Sequence, residues 1–90
     1  MTIEAILSVI NQKGLHARAA AKLVALAGEF EAEIEVGHQD QFVSALSIMG
    51  LMMFGAAQGS ELSVKANGGD AEAAVMAIQN LFADRFGEGV

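Results

Sequence analysis

The sequence contains no cysteine and no proline, and only five of its 90 residues are lysine or arginine, against eleven aspartates and glutamates. Without cysteine, neither a disulfide framework nor a thiolate metal site can form. The formal net charge of −6 is the opposite of the basic excess that draws a protein to nucleic acid or to anionic membrane. Neither a nucleic-acid partner nor membrane insertion is therefore expected. A long apolar stretch is also missing. The most extended nearly uncharged run, Gln41 to Ser60, is broken by serines, glutamines and glycines, whereas a spanning helix needs about 20 predominantly apolar residues. Met1-Thr2-Ile3-Glu4 shows neither the basic segment nor the apolar core of a secretory leader. A cytoplasmic protein is expected.

What is present is globular in kind. Hydrophobic residues make up 53% of the chain, far above the apolar-poor composition of disordered segments. A length of 90 residues predicts a single domain spanning 1–90 with a modest core. Ile3, Ala5, Leu7 and Val9 recur with period two and predict a strand. From Ala17 the period changes: Ala20, Leu23, Val24 and Ala27 predict a helix that stops at Gly28. Ile34 and Val36 predict a second strand, Gly37 to Asp40 a hairpin connection, and Gln41 to Ser44 the returning strand. Ser47 to Phe54 reads as a short capped helix with Leu51 and Phe54 in the core, and Leu62, Val64 and Ala66 as a fourth strand. Asp70 is the expected cap of a last helix whose buried stripe is Ala74, Val75, Ile78, Leu81 and Phe82, with Arg85 near its end. The order βαββαβα, four strands and three helices, predicts an α+β open-faced β-sandwich with the helices on one face of an antiparallel sheet.

Chemistry concentrates at Gly14-Leu15-His16-Ala17-Arg18. His16 falls at the loop-to-helix junction, where unpaired N–H groups and the positive end of the helix favour an anion. Arg18 adds a guanidinium fork suited to phosphate oxygens. The same helix end disfavours the imidazolium and leaves a neutral, nucleophilic ring. A bland alternative exists: an isolated histidine at this place is more often a local cap or a solvated side chain. His38, in the predicted hairpin, reads as a solvated turn residue, and Glu29, Glu31, Glu33 and Glu35 as an exposed, solubilising strand face.

Gly14-Leu15-His16-Ala17-Arg18-Ala19-Ala20-Ala21 and, further on, Ser47-Ile48-Met49-Gly50-Leu51-Met52 resemble the two motifs of HPr, the histidine-containing phosphocarrier of bacterial phosphotransferase systems. The resemblance covers essentially the whole chain. It implies a phosphocarrier rather than an enzyme, with no cofactor and a monomeric state. His16 would be phosphorylated at Nδ1 by enzyme I, and Arg18 would steady the phosphoryl group. The phosphate would then pass to a IIA-type protein. Ser47 would be the target of an HPr serine kinase. The expected partner-binding surface comprises Ala17, Ala19, Ala20 and Lys22 with the apolar Ile48, Met49 and Met52, since flexible methionines suit a protein that meets several partners. A module of the same fold, regulating a partner by its phosphorylation state, is the alternative.

Two departures from the family pattern stand out. Leu46 and Gly50 occupy places held by lysines in enteric sugar-transport members, which suggests a nitrogen-related, regulatory branch. Ala19 replaces the family's proline and restores a backbone N–H that proline lacks. An additional amide is then available to the phosphoryl group. Ala19→Pro is expected to alter the lifetime of the phosphohistidine, followed as the decay of labelled protein at neutral pH; an unchanged lifetime would refute the role of that amide.

Overall fold

The computed structural model describes all of residues 1–90. Its elements are β1 (Thr2–Ser8), α1 (Ala17–Ala27), β2 (Glu33–His38), β3 (Gln41–Ser44), α2 (Ile48–Met53), β4 (Glu61–Asn67) and α3 (Ala71–Ala83), followed by a 3₁₀ turn at Arg85–Gly87. The four strands form one antiparallel sheet in the order β1-β4-β2-β3. β4, last of the strands in sequence, is thus inserted between β1 and β2. The α+β open-faced sandwich predicted from periodicity is the fold observed.

Register explains which face is covered. Ala5, Val64, Val36 and Val43 face one another across the four strands, and Leu7 pairs with Leu62 in the adjacent row. These residues turn toward the helices: Leu7, Val36, Leu62 and Val64 belong to a continuous core of 22 buried residues, and Ala5 and Val43 pack against it. The alternate row, Glu4, Lys65, Glu35 and Ser44, lies on the opposite face, which no helix covers. Period-two sequence therefore becomes one apolar and one polar sheet face, as the pleat requires. Of the expected acidic row only Glu33 and Glu35 lie on β2. Glu29 and Glu31 lie in the turn before it, so the alternation does not extend through them.

The β2–β3 connection is shorter than the sequence predicts. Gly37 and His38 belong to β2, and only Gln39 and Asp40 make the turn, both with positive φ (53° and 69°), as a tight two-residue hairpin demands. Gly37 leaves room for the Phe42 ring folded over it instead: a Cβ there would sit 2.5 Å from that ring and displace it. His38 is half-buried, its ring edge-on to Phe54 at 5.7 Å, rather than the solvated turn residue expected.

α1 forms because an alanine-rich run has high helix propensity, and its face Ala19, Ala20, Leu23 and Ala27 is buried. Gly28 follows it but stays right-handed, with φ −67°. The helix ends instead in i→i−3 bonds from Glu29 N–H and Phe30 N–H to Leu26 and Ala27 carbonyls. The next two amides, of Glu31 and Ala32, donate to the Asp70 carboxylate at 2.9 and 2.8 Å. Asp70 does not cap α3 with its side chain. Its carboxylate is committed to amides 38 and 39 residues earlier in the chain, which local pattern cannot reveal. The α3 stripe is Ala71, Ala74, Val75, Ile78 and Phe82, with Leu81 only half-buried at its edge.

α3 stops at Ala83, before Arg85. The chain then reverses through three consecutive residues of positive φ, Arg85 (53°), Phe86 (54°) and Gly87 (76°). For a non-glycine residue the left-handed conformation costs about 1–2 kcal/mol. Burial of Phe86, 1% exposed and packed on Phe82 with ring centroids 4.8 Å apart, offsets that cost. Phe86→Ala is expected to lower the unfolding free energy by about 3–5 kcal/mol, measured by urea denaturation; a loss below 1 kcal/mol would show that the hook is not anchored by this ring.

Candidate functional site

His16 is the N-cap residue of α1. Its backbone is extended, and its own Nδ1 accepts the N–H of Arg18 at 3.3 Å. A ring nitrogen that accepts carries a lone pair, so the imidazole in this geometry is neutral and its proton is on Nε2. Nε2–H donates to the Oε2 of Glu88, and the two hydrogen bonds agree on one tautomer. The side chain keeps 25% of its surface exposed. The N–H groups of Ala17 and Ala19, next to Nδ1 along the first turn, make no hydrogen bond within the protein. Arg18 is exposed and its guanidinium has no acidic partner.

The loop that delivers His16 is fixed by close approach. Gly14 N–H donates to Asn11 O, and Asn11 Nδ2 returns a bond to Gly14 O at 2.8 Å. Leu15 is buried and its N–H donates to Ala56 O. Gly14 has φ +68°, and a Cβ on it would lie 2.4 Å from Ala56 O and 2.9 Å from Ala57 Cα. Any side chain there would push the histidine loop off its support.

Two residues that sequence reasoning missed, Asn11 and Glu88, complete the site. Asn11 is wholly buried, and its Nδ2 also donates to Glu88 Oε1 at 2.9 Å. Glu88 comes from the segment after the 3₁₀ turn, and Lys22 Nζ donates to Phe86 O in that same hook. The bond from Asn11, then that with His16, hold the Glu88 carboxyl below its ordinary value, with Lys13 adding a smaller electrostatic contribution. The glycines on either side of Glu88 were the one available signal that the tail turns, and they do not say where it goes.

Other expected site residues fall as follows. Ala17 is exposed beside His16. Ala19 and Ala20 are both 0% exposed, so their side chains belong to the core beneath the site and cannot touch a partner. Lys22 is exposed, and its ammonium donates to the Phe86 carbonyl, which also makes it an anchor for the hook. Ile48, Met49 and Met52 are exposed at 40%, 78% and 44% on α2, which packs beside α1. Leu51 is buried and Phe54 half-buried. Ser47 caps α2, its hydroxyl accepting from Gly50 N–H at 3.0 Å.

A neutral imidazole whose Nδ1 lone pair is held only by one long amide bond at 3.3 Å, with unbonded amides and a free guanidinium beside it, is equipped to accept an electrophilic, anionic group. Residues 3–84 match the sequence family described as the phosphotransferase-system HPr component phosphorylation site. The chain belongs to the HPr family. It is 45% identical over 82 residues to the phosphocarrier protein HPr of Cupriavidus necator, covering 91% of this chain and 92% of that one. It is 41% identical over 86 residues to the phosphocarrier protein NPr of Shewanella violacea, covering 96% and 94%. Among solved structures, HPr-C-His from Thermoanaerobacter tengcongensis superposes with a TM-score of 0.93 at 39% identity, over 98% of this chain and 99% of that one. The protein is thus an HPr-type phosphocarrier of the phosphotransferase system, not an enzyme.

Because the Glu88 carboxyl is held below its ordinary value of 4.5 in the fold, its ionised form is favoured there over the unfolded chain. The stabilisation is complete above the ordinary value and is lost as pH falls through the lowered one. Wild type and Glu88→Gln should therefore differ in urea midpoint near neutrality, and the gap should close on acidification below about 4.5. A gap that stays constant with pH would mean that Glu88 is not held as a carboxylate.

Proposed function

We propose that His16 takes a phosphoryl group from enzyme I and passes it to a IIA-type acceptor, within a nitrogen-related, regulatory branch of the phosphotransferase system in the cytoplasm, and that the protein works as a monomer. The observation that carries the first part is the tautomer: Nδ1 is left unprotonated at the mouth of α1, its lone pair engaged only by the Arg18 amide. Attack by Nδ1 forms the new P–N bond as the bond to the donor's histidine breaks and returns its electron pair to that ring. The accepting ring becomes cationic, with its proton on Nε2 against Glu88. Once Nδ1 is bonded to phosphorus, it can no longer accept from Arg18 N–H. That amide then joins those of Ala17 and Ala19 in facing the phosphoryl oxygens, and the Arg18 guanidinium supplies the full positive charge. Onward transfer is the same step in reverse toward another histidine, so the chemistry rests on positioning and charge compensation.

The apolar surface of Ile48, Met49 and Met52 suits docking of more than one partner around the exposed ring. Ser47 is the proposed regulatory position. A phosphate there would carry about two negative charges at the start of α2, beside that docking surface, and would repel an acidic partner without unfolding the protein. The regulatory branch draws support from Leu46 and Gly50 in place of lysines, and from similarity to the Shewanella violacea NPr. Phosphorylation-dependent regulation of a partner without onward transfer is the second reading; the free amides at His16 suit it equally.

Incubation with enzyme I and phosphoenolpyruvate should place one acid-labile, alkali-stable phosphate on His16, and none on His16→Ala. Loss of the label on adding a IIA-type protein separates the carrier from the regulatory module. An unlabelled wild type, or a label retained by His16→Ala, would overturn the assignment.

A further inference from the structure

We propose that Asn11 and Glu88 are positioning residues for His16: the buried amide of Asn11 aims the Glu88 carboxylate, which takes the Nε2 proton in hydrogen bond and so reserves Nδ1 for phosphorus. The inference rests on the phosphocarrier reading and adds to it the means by which the protein selects the reactive nitrogen.

The amide of Asn11 has only one workable orientation. Its Nδ2 faces two acceptors, Gly14 O at 2.8 Å and Glu88 Oε1 at 2.9 Å. Rotation by half a turn would set its oxygen against both. Its Oδ1 is meanwhile buried without a hydrogen-bond partner. A buried oxygen left unsatisfied is uncommon and opposes stability. It is accounted for if the residue is kept to orient what its nitrogen holds. Glu88 then has both oxygens assigned, Oε1 to Asn11 and Oε2 to His16, and cannot swing away without breaking two bonds.

The segment that brings Glu88 is itself tied at three places. Phe86 is in the core, Lys22 Nζ holds Phe86 O, and Gln12 N–H donates to Val90 O at 3.1 Å. Residues 85–90 therefore cross over the histidine loop as a strap. A neutral imidazole has a second tautomer with the proton on Nδ1, which cannot attack phosphorus. An ionised carboxylate can only accept, so at Nε2 it favours the tautomer that can attack and then faces the cation formed in the step. Carboxylates behind catalytic and metal-bound histidines act in the same manner.

The test combines a spectroscopic and a kinetic measurement. Long-range ¹⁵N–¹H spectra of the neutral His16 ring should show Nε2–H almost alone in wild type and a mixture of tautomers in Glu88→Ala. The maximal rate of phosphorylation by enzyme I should fall about ten- to a hundredfold in that variant, with KM for enzyme I little changed. Glu88→Asp should recover part of the rate, and Asn11→Ala should lose rate in the same direction, with Glu88 still present. Should Asn11→Ala fail to fold, the two Glu88 variants decide alone. A wild-type tautomer ratio in Glu88→Ala, or a rate loss without a tautomer change, overturns the positioning role. Absence of any phosphate on wild-type His16 would instead strike the phosphocarrier reading, while the spectra still report on the pair.

Discussion

One imidazole, bonded at Nδ1 by a backbone amide and at Nε2 by a carboxylate, joins three parts of the chain that are remote in sequence. The start of α1 supplies the amide, the 85–90 segment the carboxylate, and the loop at Asn11 the group that holds that carboxylate. Much of the rest of the architecture serves to keep these three in register. The Gly14 approach to Ala56 fixes the loop, the Ala19, Ala20 and Leu23 face seats α1, and Phe86 seats the hook. Displacing any one of them would move the ring relative to the free amides beside it.

Small residues make this convergence possible. Ala19, Ala20, Ala45, Ala66, Ala71 and Ala74 are all 0% exposed, so helices and sheet pack closely with little side chain between them. Larger side chains fill the centre, with Leu7, Leu23, Leu51, Leu62, Ile78 and Phe82 almost wholly buried. The six-residue helix α2 gives only Leu51 to that core and leaves Ile48, Met49, Met52 and Met53 outside. An element so short cannot bury residues on all sides. Its surplus apolar surface therefore lies next to the helix that carries the reactive histidine.

Features that depend on period are legible in the sequence itself: the strands that begin near Ile3 and Leu62, the helix through Leu23, the short helix capped by Ser47. The histidine and arginine were legible because a helix start has a definite chemistry, and the paired motifs placed them within a family. What escaped was long-range. Asp70 looked like the cap it would be if only neighbours mattered, and it serves amides near residue 31 instead. Glu88 and Asn11 are 77 residues apart, and neither lies on a periodic element. The reversal at Arg85 and Phe86 contradicts local preference and exists because a phenyl ring finds the core. Ala19 and Ala20 belong to a functional motif, yet helical geometry turns their small side chains inward.

The placement of cations has a consequence at longer range. Four of the five basic residues, Lys13, Arg18, Lys22 and Arg85, occur in the loop, helix and hook that assemble around His16, where they outnumber the acidic Asp84 and Glu88, while Glu29, Glu31 and Asp70 gather past the other end of α1, roughly 16 Å away along its axis. A molecule of net charge −6 thereby carries most of its cations at the end that holds His16. An acidic docking face approaching through dilute electrolyte would rotate this protein toward the productive orientation before contact, and added salt would erase that advantage.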